Sequence, residues 1–180
     1  MTYDTSLLLN IYEDPGKRKT TVIADGTVGQ THYRILEGTS INTEYPEPVN
    51  YMYTFDLGFN SEAHLIGFDK AHELNSMDGR AVMLQYNMET VSLEGDFDNY
   101  FKMFCEEGQQ VRARYIFSPD NMEIFIDFLN KYTWEIIGNR MYVTGKLLYS
   151  TETGIIKDTN DFIKDIRPLV VNVPNVISAA

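Results

Sequence analysis

A single cysteine, Cys105, has no partner for an intrachain disulfide, and its neighbours Glu106 and Glu107 would raise a thiol pKa rather than activate it. Redox and thiol-nucleophile chemistry are therefore disfavoured. Cations are also scarce: 15 Lys and Arg against 26 Asp and Glu leave a formal charge of -11. That balance repels phosphate backbones and anionic headgroups, so no nucleic-acid partner is expected. The acids are scattered rather than gathered into a tail, which points to plain solubility. No Asn-x-Ser/Thr sequon occurs, and Leu7 to Leu9 is too short an apolar run for a signal-peptide core or a membrane span. The chain as given is expected to be soluble, cytoplasmic or tethered to a membrane only through segments outside it. Gly-x-Ser-x-Gly and Ser-x-x-Lys are missing, and Gly26-Thr-Val-Gly29 has too few glycines and no Gly-Lys-Ser/Thr to cradle a phosphate. No cofactor is expected.

Aromatic residues are abundant, with 12 Tyr and 10 Phe among 43% hydrophobic positions, enough for one sizeable core. One domain over residues 1–180 is expected, with 169–180 as an apolar C-terminal tail. Ser6 to Glu13 and Lys19 to Ala24, joined by Asp14-Pro15-Gly16, predict a hairpin. A turn at Asp25-Gly26, a strand over Thr31 to Leu36, a loop over Glu37 to Pro48 and a strand over Tyr51 to Phe55 follow. Ser61 to Asp78 shows no sustained period and predicts irregular chain. Strands are expected again over Arg80 to Tyr86 and Glu89 to Leu93.

Asp96, followed by Phe97, Tyr100, Phe101 and Phe104, predicts a capped amphipathic helix ending near Gly108. Gln110 to Phe117 alternates, which predicts a strand burying Val111, Ala113, Tyr115 and Phe117. Ser118-Pro119 then opens a helix whose inner stripe is Met122, Phe125, Ile126 and Leu129. Trp134 to Ile137, Gly138-Asn139 and Met141 to Tyr149 predict a hairpin, and Asp158 to Ile166 a last helix. The expected fold is α+β, a curved antiparallel sheet covered on one face by the two central helices.

Candidate sites are sparse. His32, His64 and His72 lack the spacing of a metal motif, so no metal is expected, although His64 or His72 with Asp69, Glu73 or the acids near Asp96 could serve a small hydrolase or metal-dependent enzyme. Glu89, Glu94, Asp96 and Asp98 cluster near one junction, but Tyr100 and Phe101 stand where a calcium loop needs an oxygen ligand and a glycine. Favourable contact with a helix dipole explains those acids. Arg112 and Arg114 fit either cross-strand ion pairs or an anion contact. Tyr45, Tyr51 and Tyr53 are candidates for an aromatic binding face.

Leu93-Glu-Gly-Asp-Phe97, Tyr100-Phe101, Ala113-Arg-Tyr-Ile-Phe117 and Ser118-Pro119-Asp120-x-Met122 resemble an uncharacterised bacterial family, found in Saccharibacteria and relatives, whose domain of unknown function sits beside transmembrane segments. Trp134-Glu135-Ile136-Ile137, Asn139-Arg-Met-Tyr142 and Tyr33 to Gly38 continue the likeness. The resemblance brings no catalytic residue with it. It implies a membrane-associated domain tethered by other parts of its parent protein. Together these features favour a non-catalytic interaction or scaffold domain that binds a protein or peptide through an aromatic face or sheet edge. An enzyme built on His64 or His72 is the alternative, and a structural module of a cell-envelope assembly a third possibility.

Overall fold

The computed structural model describes residues 18–40, 50–58, 60–70, 86–130 and 132–145, with side chains described for 21–37, 52–58, 60–70, 86–130 and 132–144. Eight strands, β1 (Arg18–Val28), β2 (Thr31–Ser40), β3 (Asn50–Asp56), β4 (Leu65–Asp69), β5 (Met88–Val91), β6 (Phe101–Glu106), β7 (Thr133–Ile137) and β8 (Arg140–Gly145), form one sheet. Its order is β1-β2-β3-β8-β7-β4-β6-β5, and every pairing is antiparallel. Among the described residues three helices accompany it: α1 (Phe97–Tyr100), α2 (Gln110–Ile116) and α3 (Pro119–Leu129). The class is α+β, and the sheet is open, with β1 and β5 at its two ends among the described strands.

Alternation along the strands divides the core into two layers. One face carries Ile35, Tyr53, Phe55, Leu65, Phe101, Met103, Trp134, Ile136, Met141 and Val143. The other carries Met52, Ile66, Met88, Phe104 and Tyr142. Phe117, at the end of α2, and Phe125, on α3, meet Trp134 of the first face with ring centroids 5.5 and 4.8 Å apart. Gly67 lies beneath the same indole. A Cβ there would stand 2.3 Å from Trp134 Cζ2, a distance no packed atoms tolerate. Gly67→Ala is expected to destabilise the fold by about 1–3 kcal/mol through overpacking, seen as a lower urea midpoint. An unchanged midpoint would place the ring elsewhere.

Several elements differ from the sequence expectation. The helix expected from Asp96 to Gly108 lasts one turn, because Phe101 turns extended at φ -125°, ψ 148° and the chain enters β6 between β4 and β5. Of the two expected central helices, the first is therefore mostly strand. Gln110 to Ile116 is helical instead: the Ala113 and Phe117 N–H groups donate to the Gln109 and Ala113 carbonyls. Arg, Ala and Gln are good helix formers, and the spacing of Ala113 and Ile116 gives this helix its buried side. Val111 and Tyr115 consequently point to solvent rather than into the core. Tyr100, also expected inside, is exposed.

Asp25-Gly26 is not a turn. β1 runs through it with a bulge at Ile23, the chain reverses at Gly29 (φ 63°) and Gln30, and Gly26 leaves room for the Tyr33 ring above it. The segment expected to be irregular contains β4, a central strand. Expectations that hold are β2, β3, β5, α3 beginning at Pro119, and the β7–β8 hairpin turning at Gly138 (φ 58°). The loop expected from Glu37 instead continues β2 as strand to Ser40, and Tyr86, expected to end a strand, is helical. The expected strand over Ser6 to Glu13, the rest of the Arg80 to Tyr86 strand, the loop from 41 to Pro48, the 146–149 end of the closing hairpin, the helix over Asp158 to Ile166 and the 169–180 tail lie outside the described residues.

Candidate functional site

Three groups of side chains carry enough chemistry to consider. The first is a pair buried in the sheet. Ile66 of β4 stands opposite Glu135 of β7, which stands opposite Tyr142 of β8. His64, one residue before β4, shares that face, and its Nε2 donates to Glu135 Oε1 at 2.6 Å. The Glu135 side chain is 0% exposed and the His64 side chain 15%. A carboxylate inside an apolar layer needs such a partner, since an uncompensated buried charge costs several kcal/mol. The His64 N–H donates to Gln109 Oε1 at 3.1 Å, and the His64 carbonyl accepts from the Glu106 N–H at 3.2 Å, so the backbone is held as well.

The second group lies at the β1 to β3 end of the same face. His32 Nε2 donates to Asp25 Oδ1 at 2.7 Å, Arg34 Nε donates to Asp25 Oδ2 at 2.8 Å, and His32 Nδ1 lies 3.9 Å from Asp56 Oδ2. Arg140 Nε closes the row 3.4 Å from Asp56 Oδ1. The His32 and Arg34 hydrogen bonds hold the Asp25 carboxyl below its ordinary pKa. All these side chains are well exposed, and their charges compensate one another across four strands. That is the behaviour of a surface ladder rather than of a reactive centre.

The third group is the outer face of α2. Val111 and Tyr115, four residues apart and hence stacked on one side of the helix, are 65% and 72% exposed, and Arg114 falls on the same side. Arg112 turns toward the loop before β4, where its Nη1 donates to the Glu62 carbonyl at 3.1 Å and pairs with Glu62 Oε2 at 2.8 Å. This clamp holds Glu62 at φ 52°. Arg114 makes no ion pair among the described residues.

The sequence candidates are scattered by the fold. Tyr53 is 2% exposed, part of the core, and presents no ring to a partner. Tyr51 lies in β3 opposite Glu37 and Gly145, with its side chain outside the description, and Tyr45, His72 and Glu73 lie outside the described residues altogether. Arg112 and Arg114 are helical rather than cross-strand residues. Asp69 is five residues beyond His64 on the same strand direction, hence on the opposite face, and is buried. The acids near the β5–α1 junction hold loops: Asp98 accepts from Ser92 Oγ at 2.5 Å and from the Leu93 N–H at 3.2 Å, and Glu89 accepts from the Gly108 N–H at 2.9 Å. Among the described residues no group of three or more His, Cys, Asp or Glu is arranged to hold a metal ion. Cys105 is buried, and desolvation with the nearby Glu89 charge pushes its thiol up to about 11, so it stays protonated at neutral pH.

Sequence reasoning missed Glu135 and the exposure of Val111 and Tyr115. Glu135 had a signal: one acid inside Thr133-Trp-Glu-Ile-Ile137 is a charge in an apolar strand and calls for a partner. No protein-family model, curated protein or solved structure matches the chain.

Proposed function

We propose that this chain is a non-catalytic interaction domain, in which a layer formed by α2 and α3 covers one face of the sheet and presents the outer face of α2 to a protein partner. The observation that carries this reading is the exposure of Val111 and Tyr115, 65% and 72%, on one side of a helix whose other side is buried. A folded domain gains nothing by leaving an aromatic and a branched aliphatic side chain stacked in water beside an arginine. Tyr and Arg are the residues on which interface energy concentrates. The helix is anchored at both ends: Asn121 Nδ2 donates to the Ile116 carbonyl, tying the end of α2 to α3, and Arg112 ties α2 to Glu62. The resemblance to the bacterial family extends the proposal to tethering near a membrane by segments outside this chain. No helix among the described residues is long and apolar enough to cross one itself.

A photo-activated cross-linker placed at position 115 should give a discrete covalent protein adduct in extracts of the source cell. The same group at Glu94, an exposed loop position, should give none. Equal labelling from both positions, or none from position 115, would remove the proposal.

A second reading, acid–base chemistry at His64, draws on its 2.6 Å contact with Glu135. It requires small-molecule turnover that disappears in His64→Gln, with the fold retained.

A further inference from the structure

The two helices that follow one another over residues 110–129 show opposite characters on their outer faces. α2 offers Val111, Arg114 and Tyr115. α3 exposes Asp120, Glu123 and Asp127, at spacings of three and four, as one acidic stripe. None of these three acids has an ion-pair partner among the described residues. No Lys or Arg occurs anywhere in α3, so Glu123 and Asp127, four apart, repel each other along the helix. The stripe is bordered on one flank by half-buried Met122 and Ile126, and on the other by half-buried Ile124 and Phe128. An arginine with two apolar neighbours on one helix thus matches acids with apolar borders on the next, neither having an ion-pair partner among the described residues. Both helices bury their inner residues, Ala113 and Ile116 from α2 and Phe125 and Leu129 from α3, in a single hydrophobic cluster, so both outer faces look away from one core.

Resting on the reading of α2 as a docking face, we infer that its partner is a second copy of this chain. In a two-fold dimer α2 of each copy would lie on α3 of the other, because an isologous interface pairs patch i with patch j and patch j with patch i. Val111 and Tyr115 then cover the Met122 and Ile126 border, and Arg114 neutralises Glu123 and Asp127 of the opposite copy. The local match acts against the charge of -11 carried by each chain, and two short helix faces bury little area, so the dimer is a weak one, micromolar rather than nanomolar.

Charge exchange tests the reciprocity. Arg114→Glu sets acid against acid, and Glu123→Lys with Asp127→Lys sets base against base, so each variant alone should dimerise at least about tenfold more weakly than the parent in sedimentation velocity. All these positions are exposed, and an unchanged thermal midpoint confirms that the variants fold. Mixed one to one, the two variants present complementary charges at both contacts, and association should return to near the parent value. A parent chain that stays monomeric to near-millimolar concentration, variants that dimerise like the parent, or a mixture that does not recover would each overturn the inference. A monomeric parent whose position 115 still cross-links another protein would refute the second copy while leaving the docking face standing. Loss of both results would end the two together.

Discussion

Phe125→Ala is expected to lower the unfolding free energy by about 3–5 kcal/mol, the range for truncating a buried phenylalanine. Phe125 is 1% exposed and touches two other rings, Trp134 at 4.8 Å and Phe117 at 5.0 Å, both in edge-to-face geometry. Phe117 in turn meets Phe97 at 5.3 Å and Trp134 at 5.5 Å, and Phe101 meets Trp134 at 5.9 Å. The cluster joins α1, α3, β6 and β7, so the space left by the missing ring cannot close by moving one side chain. The upper part of the range is expected for that reason. Phe125→Leu, which keeps most of the volume, should cost much less. Chemical denaturation read by Trp134 fluorescence measures both. A midpoint unmoved by the alanine would mean that α3 does not pack on the sheet through this residue.

His64→Leu should also destabilise the fold, by about 1–3 kcal/mol, through the hydrogen bond that buried Glu135 loses. Glu135 is fully buried and loses its hydrogen bond to the imidazole. The diagnostic comparison is with Glu135→Leu and the double variant. If the two side chains act as a pair, the double variant is destabilised by less than the sum of the single ones, and the coupling from the cycle exceeds about 1 kcal/mol. Strict additivity would mean that the 2.6 Å contact contributes nothing in solution. Both predictions concern stability, and neither depends on the proposed partner.

The parts of the fold legible beforehand are those specified by local chemistry. Ser118-Pro119 starts α3 because an extended Ser118 (φ -62°, ψ 159°) followed by a fixed proline φ commits the next turn to helix. Gly138 at φ 58° closes the β7–β8 hairpin because glycine alone enters that region without cost. Phe97 to Phe104 misleads because Phe101 and Phe104 satisfy two periods at once. They lie on one helix stripe with Phe97, and they also fit a strand buried on both sides, where Phe101, Met103 and Cys105 face one layer and Phe104 the other. Gln110 to Phe117 misleads in the opposite direction: four apolar residues at alternate positions suggest a strand, while the residues between them favour helix. The exposed α2 face, on which the functional proposal rests, is not readable from the sequence at all, since Val111 and Tyr115 look like core residues until the helix is known.

Composition and chain neighbours are enough to settle the acidic balance, the aromatic wealth of the core, the start of α3 and the β7–β8 turn. Only the folded chain makes Phe101 to Glu106 a strand and Gln110 to Ile116 a helix, and brings His64 to Glu135. The reason is the range of the forces involved. β6 takes its shape from pairing with Leu65–Asp69 and Met88–Val91, and Glu135 finds its partner 71 residues away. Long-range pairing of this kind outweighs local propensities of under about 1 kcal/mol per residue.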